Sequence, residues 1–99
     1  MVKHIILWDH IDGLTAEEKS ENAAVIKSVL EDLVGVVPGL TELNVHTDLF
    51  DSGNCDIVLY SVLESREALE QYQIHPAHVS AADIVRQKVK NRRCADFEV

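Results

Sequence analysis

The chain has 99 residues, of which 46% are apolar and 26% are charged, a composition typical of a globular domain and not of a disordered segment. This length corresponds to a single domain, residues 1–99. Because the core of so short a domain is small, oligomerisation would add useful stability. Acidic residues outnumber basic ones by 17 to 9, and the resulting net charge of −8 disfavours binding to nucleic acid or to an anionic membrane.

The first half of the chain predicts a strand, a helix and a second strand. Residues 2–8 form a compact, β-branched run that is typical of a strand. Thr15 and Glu18 have the spacing of a capping box, and apolar residues then recur at helical spacing until Gly35, a typical helix stop. The segment 41–47 alternates polar and apolar residues, which predicts a strand with one face in water.

The second half of the chain predicts a strand at 56–63, an interrupted helix and a final strand at 93–99. Ser65 is a typical N-cap for the first helical piece, which we expect to end near residue 71. The pair His75-Pro76 then interrupts the helix, because the residue before a proline avoids helical angles and the proline favours the first turn of a new helix.

One basic cluster lies at the end of the second helical piece, which we expect to continue through Val89. Cations suit the C-terminus of a helix, so we interpret the cluster as a solvated helix end and turn. Its members are Arg86, Lys88, Lys90, Arg92 and Arg93.

The element order β-α-β-β-α-β is that of the ferredoxin-like α+β fold, in which strands one and three lie in the centre of an antiparallel sheet. Both central strands are apolar on both faces; strand one has Ile5 and Leu7 on one face, Ile6 and Trp8 on the other. Because helices cover only one side of such a sheet, the other side would expose an apolar patch. We therefore expect a homodimer whose two sheets pack face to face as an α/β barrel, with Ile5 and Leu59 in the interface.

A phenol and two imidazoles crowd around one proline, and these groups are Tyr72, His75 and His78. Such groups exchange protons near neutral pH. The start of a helix favours the neutral imidazole that a general base needs, so His78 could be a base. Tyr72 could donate a hydrogen bond to a carbonyl oxygen that becomes an enolate, with His4 orienting either ring. A structural role is equally compatible: His75 would cap a helix, while the other two rings would bond backbone groups.

The chain resembles the stress-responsive dimeric α/β-barrel (Dabb) family over nearly its whole length. The most specific likeness is the stretch His75-Pro76-Ala77-His78, and the others are Val2-Lys3-His4-Ile5, Pro38-Gly39, Glu64-Ser65 and Asp96-Phe97. The resemblance implies two ferredoxin-like subunits with their sheets packed into one barrel, and a stress-related role that rests on the family name.

Some plant members of this family resemble polyketide cyclases that close an aldol ring with a tyrosine and a histidine. Their pattern corresponds to Tyr72 and His78 here, with His4 as a pocket residue from strand one. A further histidine of the plant pocket corresponds to Asp56, so the plant substrate itself is not implied. We expect the pocket between sheet and helices to be lined by Ile6, Trp8, Ile26, Leu30, Val58 and His75.

Some relatives also hold a cation on backbone carbonyls where helix one ends. By resemblance these are the carbonyls of Val34, Val37 and Leu40. Carbonyls at a helix C-terminus carry partial negative charge, which suits a cation such as Mg²⁺. No other cofactor is expected.

Three functions are compatible with the sequence. The first is a homodimeric barrel protein of undefined activity that binds a small, mostly apolar molecule between sheet and helices. The alternative is a cofactor-free lyase or cyclase acting on a polyketide-like carbonyl substrate, with His78 as base and Tyr72 as acid. The second alternative is a cofactor-independent monooxygenase of the related barrel superfamily. Motifs of hydrolases, kinases and dehydrogenases are missing, which disfavours those classes.

The sequence predicts a cytoplasmic protein. No apolar run approaches the ~20 residues that span a bilayer, and the N-terminus lacks the layout of a signal peptide. Cys55 and Cys94 form neither a disulfide framework nor a metal-ligand spacing, which is typical of a reducing compartment.

Overall fold

The computed structural model describes residues 1–99 and confirms the predicted element order, with the second helix divided into two. The elements are β1 (Val2–His10), α1 (Ala16–Glu31), β2 (Leu40–His46), β3 (Ile57–Leu63), α2 (Arg66–Ile74), α3 (Pro76–Arg86) and β4 (Val89–Glu98). The strands form one antiparallel sheet in the order β2-β3-β1-β4, with β1 and β3 in the centre. This is the ferredoxin-like α+β fold.

Side chains cap all three helices at their N-termini. The Thr15 hydroxyl accepts the Glu18 amide at 3.1 Å while the Glu18 carboxylate accepts the Thr15 amide at 2.9 Å, which completes the predicted capping box of α1. Ser65 caps α2 through its hydroxyl. The Nδ1 atom of His75 accepts the Ala77 amide at 3.1 Å and caps α3, as one of the sequence-based alternatives expected.

The boundary between α3 and β4 differs from the prediction. The helix ends at Arg86 instead of continuing through Val89, and β4 begins at Val89 instead of residue 93. The interpretation of the basic cluster as a helix end and turn is therefore wrong for Lys90 and Arg92, which lie on β4, whereas Arg93 lies on this strand as its predicted range implied. The reason is that β4 is an edge strand, and edge strands tolerate charged side chains that a central strand would exclude.

The core lies between the sheet and the helices. Alternate residues of the central strands point into it, and these are Val2, His4, Ile6 and Trp8 of β1 with Ile57, Leu59, Ser61 and Leu63 of β3. Leu59 pairs with Ile6 and is 1% exposed, so its expected place in a dimer interface is wrong. Burying a side chain of this size stabilises the fold by about 1.5–3 kcal/mol.

The opposite face of the sheet carries apolar side chains that are only partly buried. Ile5 pairs with Tyr60 and with Ala95, and Leu7 pairs with Val58, so these residues share one face. Phe97, on the same face of β4, is 47% exposed. Ile5 therefore lies on the face away from the helices, as the sequence analysis predicted.

None of the helices is both long enough and apolar enough to cross a membrane.

Candidate acid–base site between the sheet and the helices

A cavity of about 390 Å³ lies between the sheet and the helices. Its volume falls within the range of about 300–1,000 Å³ that is usual for ligand pockets. The residues that line it are His4, Ile6, Trp8, Leu30, Leu59, Tyr72, Gln73, His78, Ala82, Val85, Arg86, Val89, Lys90, Asn91 and Arg92. The structure thus brings together the three side chains that the sequence singled out for catalysis, on β1, α2 and α3.

Half of the expected pocket-lining residues lie elsewhere. Ile6, Trp8 and Leu30 line the cavity as expected. Ile26 is fully buried in the core behind it. Val58 pairs with Leu7 and His46 and therefore lies on the opposite face of the sheet. His75 is occupied in capping α3.

Tyr72 is the central side chain of the site. It is 1% exposed, and its ring centroid lies 4.2 Å from that of His78 and 6.0 Å from that of His4. Its hydroxyl makes no hydrogen bond within the protein, so the backbone bond that a structural role would require is not formed. Burial raises the pKa of Tyr72 well above its usual value, with a smaller opposing effect of Arg92, so the phenol stays protonated and able to donate.

His78 lies in the first turn of α3. Its Nδ1 atom is 3.2 Å from the carbonyl oxygen of Gln73, at the end of α2. A carbonyl only accepts, so Nδ1 carries the proton and Nε2 keeps a free lone pair. Burial lowers the pKa of His78, and the bond to Gln73 acts in the opposite direction. The imidazole is therefore neutral at neutral pH, as a general base must be.

His4 is held by a carboxylate that sequence reasoning did not assign to the site. The Nδ1 atom of His4 contacts the carboxylate of Asp96, which lies directly opposite it in the pairing of β1 with β4. The backbone carbonyl of His4 also accepts the Ser61 hydroxyl at 2.8 Å. Because Asp96 takes Nδ1, Nε2 is the imidazole nitrogen that remains without a protein partner.

Cys94 lies beside this pair, with its sulfur 3.8 Å from Nδ1 of His4 and 3.5 Å from the carboxylate of Asp96. The three donor atoms lie within 4.8 Å of one another, and nitrogen, sulfur and oxygen donors are those of a zinc site. Burial raises the pKa of the Cys94 thiol, and the Asp96 charge adds to the effect. The thiol is therefore not an activated nucleophile.

Two of the three carbonyls predicted to hold a cation, those of Val34 and Val37, lie in the segment that joins α1 to β2, and the third is that of Leu40, the first residue of β2. The helix ends at Glu31, before the predicted stop, so Val34 and Val37 follow it in turns. The Val37 carbonyl accepts the Leu40 amide at 3.3 Å, which uses one of its lone pairs. Carbonyl oxygens suit a hard cation such as Mg²⁺ in donor type, and this site stays a prediction.

Three members of the basic cluster line the cavity, a placement that sequence reasoning missed. Arg86 forms an ion pair with Asp83 and Lys90 with Asp12, each at 2.6 Å. Arg92 forms no ion pair in the structure, and its side chain lies beside the Cys94 thiol. Its charge contributes to lowering the pKa of His78 and acts against the raised pKa of Tyr72, so it lies close enough to both rings to affect them.

Two solved structures combine high structural similarity with moderate sequence identity. A dimeric ferredoxin-like protein of unknown function from Bacteroides fragilis has a TM-score of 0.90 and 28% identity, over 99% of this chain and 95% of the other. A dimeric ferredoxin-like protein of unknown function from Thermobifida fusca has a TM-score of 0.79 and 25% identity, over 99% of this chain and 90% of the other.

The fold is also that of two proteins with named activities. The hydroxynitrile lyase of Passiflora edulis has a TM-score of 0.74 and 14% identity, over 97% of this chain and 90% of the other. SnoaB, a cofactor-independent oxygenase of Streptomyces nogalater, has a TM-score of 0.74 and 12% identity, over 99% of this chain and 91% of the other. At these identities the likeness shows the fold alone.

No curated protein matches the sequence significantly. The family model of the stress responsive A/B barrel domain, Dabb, matches residues 2–99. The chain therefore belongs to the Dabb family, as its sequence motifs predicted.

Proposed function

We propose that this Dabb protein binds a small, mostly apolar carbonyl compound in the cavity and removes a proton beside the carbonyl group without a cofactor, as a lyase or cyclase. One observation carries the proposal. The ring of Tyr72 lies 4.2 Å from the imidazole of His78 and 6.0 Å from that of His4, centroid to centroid, and all three side chains line the same cavity. The Nδ1 atoms of both imidazoles are held by oxygen atoms of the protein.

The division of roles follows from the protonation states. Nε2 of His78 takes the proton, the carbon–hydrogen bond breaks, and its electron pair forms the enolate. Tyr72 donates a hydrogen bond to the enolate oxygen in a site where little water competes. In a cyclisation the enolate carbon then attacks a second carbonyl group, and the His78 imidazolium returns the proton to the new alkoxide.

His4 offers a second Nε2 atom, on a ring whose centroid lies 6.0 Å from that of Tyr72. Asp96 fixes the orientation of this imidazole, as a carboxylate does for many functional histidines. We assign His4 the role of hydrogen-bonding the substrate or passing a proton to Tyr72. The predicted carbonyl-bound cation has no part in these steps.

Two neighbours of the same fold support different versions of the proposal. A hydroxynitrile lyase has this fold, which is compatible with lyase chemistry. SnoaB, a cofactor-independent oxygenase, is the support for the monooxygenase alternative. The titratable groups around the cavity favour proton transfer, so we rank the oxygenase second. Oxygen uptake coupled to turnover, followed with an oxygen electrode, would reverse that order.

We also propose that the protein is a homodimer that buries the outer face of its sheet. The support is the row of apolar side chains on that face, including Ile5, Leu7 and Phe97, together with the dimeric state of two neighbours of the same fold. The cytoplasmic location stays a prediction from the sequence.

Deuterium exchange tests the acid–base function without knowledge of the natural substrate. Propiophenone and ethyl benzoylacetate, dissolved in deuterium oxide with the protein, should exchange their α-protons faster than in buffer, as followed by proton NMR. His78→Ala and Tyr72→Phe should each lower the catalysed rate about a hundredfold, since a positioned acid or base contributes at least that much.

His46→Ala is the matched control, because His46 is an exposed imidazole at the end of β2, outside the cavity lining. Its exchange rate should equal that of the wild type. If folded His78→Ala protein keeps the wild-type rate, the acid–base function is wrong.

A further inference from the structure

We propose that the ligand of this cavity is an acid: an apolar body that carries a carboxylate, which Arg92 binds at the mouth of the cavity. The inference deepens the proposed function, on which it rests for the carbonyl group that faces Tyr72 and His78. It narrows the substrate class to amphipathic keto acids.

The charged side chains that line the cavity are all basic. Its lining includes Arg86, Lys90 and Arg92 and contains no aspartate or glutamate. The whole chain has a net charge of −8, so a lining with three cations and no acid is opposite in sign to the rest of the molecule. A cleft lined by one sign of charge attracts ligands of the other.

Only one of the three cations, Arg92, has no carboxylate partner. Asp83 neutralises Arg86 and Asp12 neutralises Lys90, each across 2.6 Å. Arg92 forms no ion pair, and its neighbour on the same strand is the uncharged Cys94 thiol. The guanidinium is a planar fork of donors that matches a carboxylate in a bidentate pair. Arg92 lines the cavity and has no carboxylate partner within the protein, so the carboxylate of a bound acid could fill that role.

The geometry of β4 keeps Arg92 apart from the carboxylates nearest in sequence. Asn91 has a φ of +56°, at an irregularity in the pairing of β4 with β1. Arg93 pairs with Leu7 on the outer face and bonds Asp9 at 3.0 Å. Arg92 instead lines the cavity. On the same strand, Asp96 is committed to His4.

The rest of the lining fits the apolar body of such a ligand. Besides Tyr72, seven apolar side chains line the cavity, and they are Ile6, Trp8, Leu30, Leu59, Ala82, Val85 and Val89. If Arg92 binds the carboxylate of the ligand at the mouth, the apolar body of the ligand extends into the interior of the cavity. Tyr72 and His78 face the same space, so a carbonyl group within the bound molecule can reach both.

Trp8 is the only tryptophan and lines the cavity, so its fluorescence reports on occupancy. The test titrates the protein with octanoate and with octanamide, which have the same chain and differ in charge. The wild type should bind octanoate about tenfold more tightly, because a hydrogen bond to a charged group typically contributes that much affinity. Arg92→Gln should lose this preference and keep its affinity for octanamide.

Arg66→Gln is the control, since it removes the same charge from an exposed arginine that pairs with Glu98 outside the cavity. It should keep the preference for octanoate. The inference is overturned if the wild type binds no octanoate, if it binds octanamide equally well, or if Arg92→Gln keeps the preference.

The failure of this inference and that of the proposed function are distinguishable. Deuterium exchange uses neutral ketones and depends on His78, whereas the octanoate preference depends on Arg92. A wild type that catalyses exchange but shows no preference for octanoate refutes the acid ligand alone. A wild type that prefers octanoate but catalyses no exchange refutes the acid–base function alone.

Discussion

His78 is suited to be a base because burial and a backbone carbonyl act on it together. Burial disfavours the imidazolium and lowers the pKa, while the Gln73 carbonyl fixes the proton on Nδ1. Tyr72 is the converse case, since burial raises the pKa of the phenol and keeps its proton in place. Two neighbouring groups whose pKa values are shifted in opposite directions form an acid–base pair.

The lowered pKa of His78 predicts a pH dependence of stability. Above about pH 6.5 the imidazole is neutral in the folded and the unfolded chain. As the pH falls below that value the unfolded chain binds the proton first, so the free energy of unfolding decreases until the pH passes the lower pKa of the folded state. Urea unfolding at fixed protein concentration should show this decrease between about pH 7 and pH 5, and His78→Gln should remove part of it. An equal slope in the variant would show that His78 titrates normally.

The sequence indicated some residues of the site and could not indicate others. Tyr72, His78 and His4 were predictable because they lie in the motifs that resemble the Dabb family. Asp96 also lies in such a motif, but nothing in the motif indicates a contact with His4, and Arg92 carries no local signal. Asp96 reaches His4 only through the pairing of β1 with β4, across almost the whole chain.

The break between α2 and α3 is the element that assembles the site. Tyr72 and His78 are six residues apart, and in one continuous helix their side chains would point about 120° apart around the axis. His75 instead has an extended backbone, with a ψ of 132°, and Pro76 starts a new helix. The change of direction brings the two rings to 4.2 Å between centroids.

The cap at this break predicts the effect of a substitution. His75→Ala removes the acceptor of the Ala77 amide and should lower the free energy of unfolding by about 1 kcal/mol. His75→Asn should restore most of it, because asparagine is a favourable N-cap. Chemical unfolding of both variants, with His46→Ala as the exposed control, measures the effect. Equal stability of His75→Ala and the wild type would show that the imidazole does not cap α3.

The positions where helices and strands begin and end show which of them local sequence signals can predict. The capping box of α1 and the His75-Pro76 break depend on neighbouring residues, and both were predicted. The start of β4 was wrong because its first residues, from Val89 to Arg93, are mostly charged and resemble the end of a helix. Their strand conformation depends on pairing with β1, which neighbouring residues do not encode.

At the scale of the whole molecule, the two faces of the sheet have different roles. One face packs on the helices and lines the cavity, while the other carries Ile5, Leu7 and Phe97, the apolar surface of the proposed dimer. The sequence predicted that both faces of β1 and β3 are apolar. For β3 the sequence did not reveal which residues face the helices and which face outward. Leu59 was therefore predicted in the interface and Val58 in the pocket, the reverse of their positions in the structure. Only the register of β3 against β1 decides this.

Ile5→Lys should convert the proposed dimer into a monomer, because it places a charge in the centre of the apolar outer face. Light scattering coupled to size exclusion at micromolar concentration measures the mass. Val25→Lys is the control, since Val25 is an exposed apolar residue of α1 on the other side of the molecule, and it should remain dimeric. A monomeric wild type, or a dimer of unchanged mass for Ile5→Lys, contradicts this interface.

The most direct test of the acid–base site is nitrogen NMR of the His78 ring in the intact protein, because it needs no substrate. The site requires a neutral imidazole with its proton on Nδ1 and a free Nε2. We expect that tautomer at neutral pH and a pKa below the usual value of about 6.5. A ring protonated on Nε2, or a pKa above the usual value, would contradict the assignment of His78 as the base.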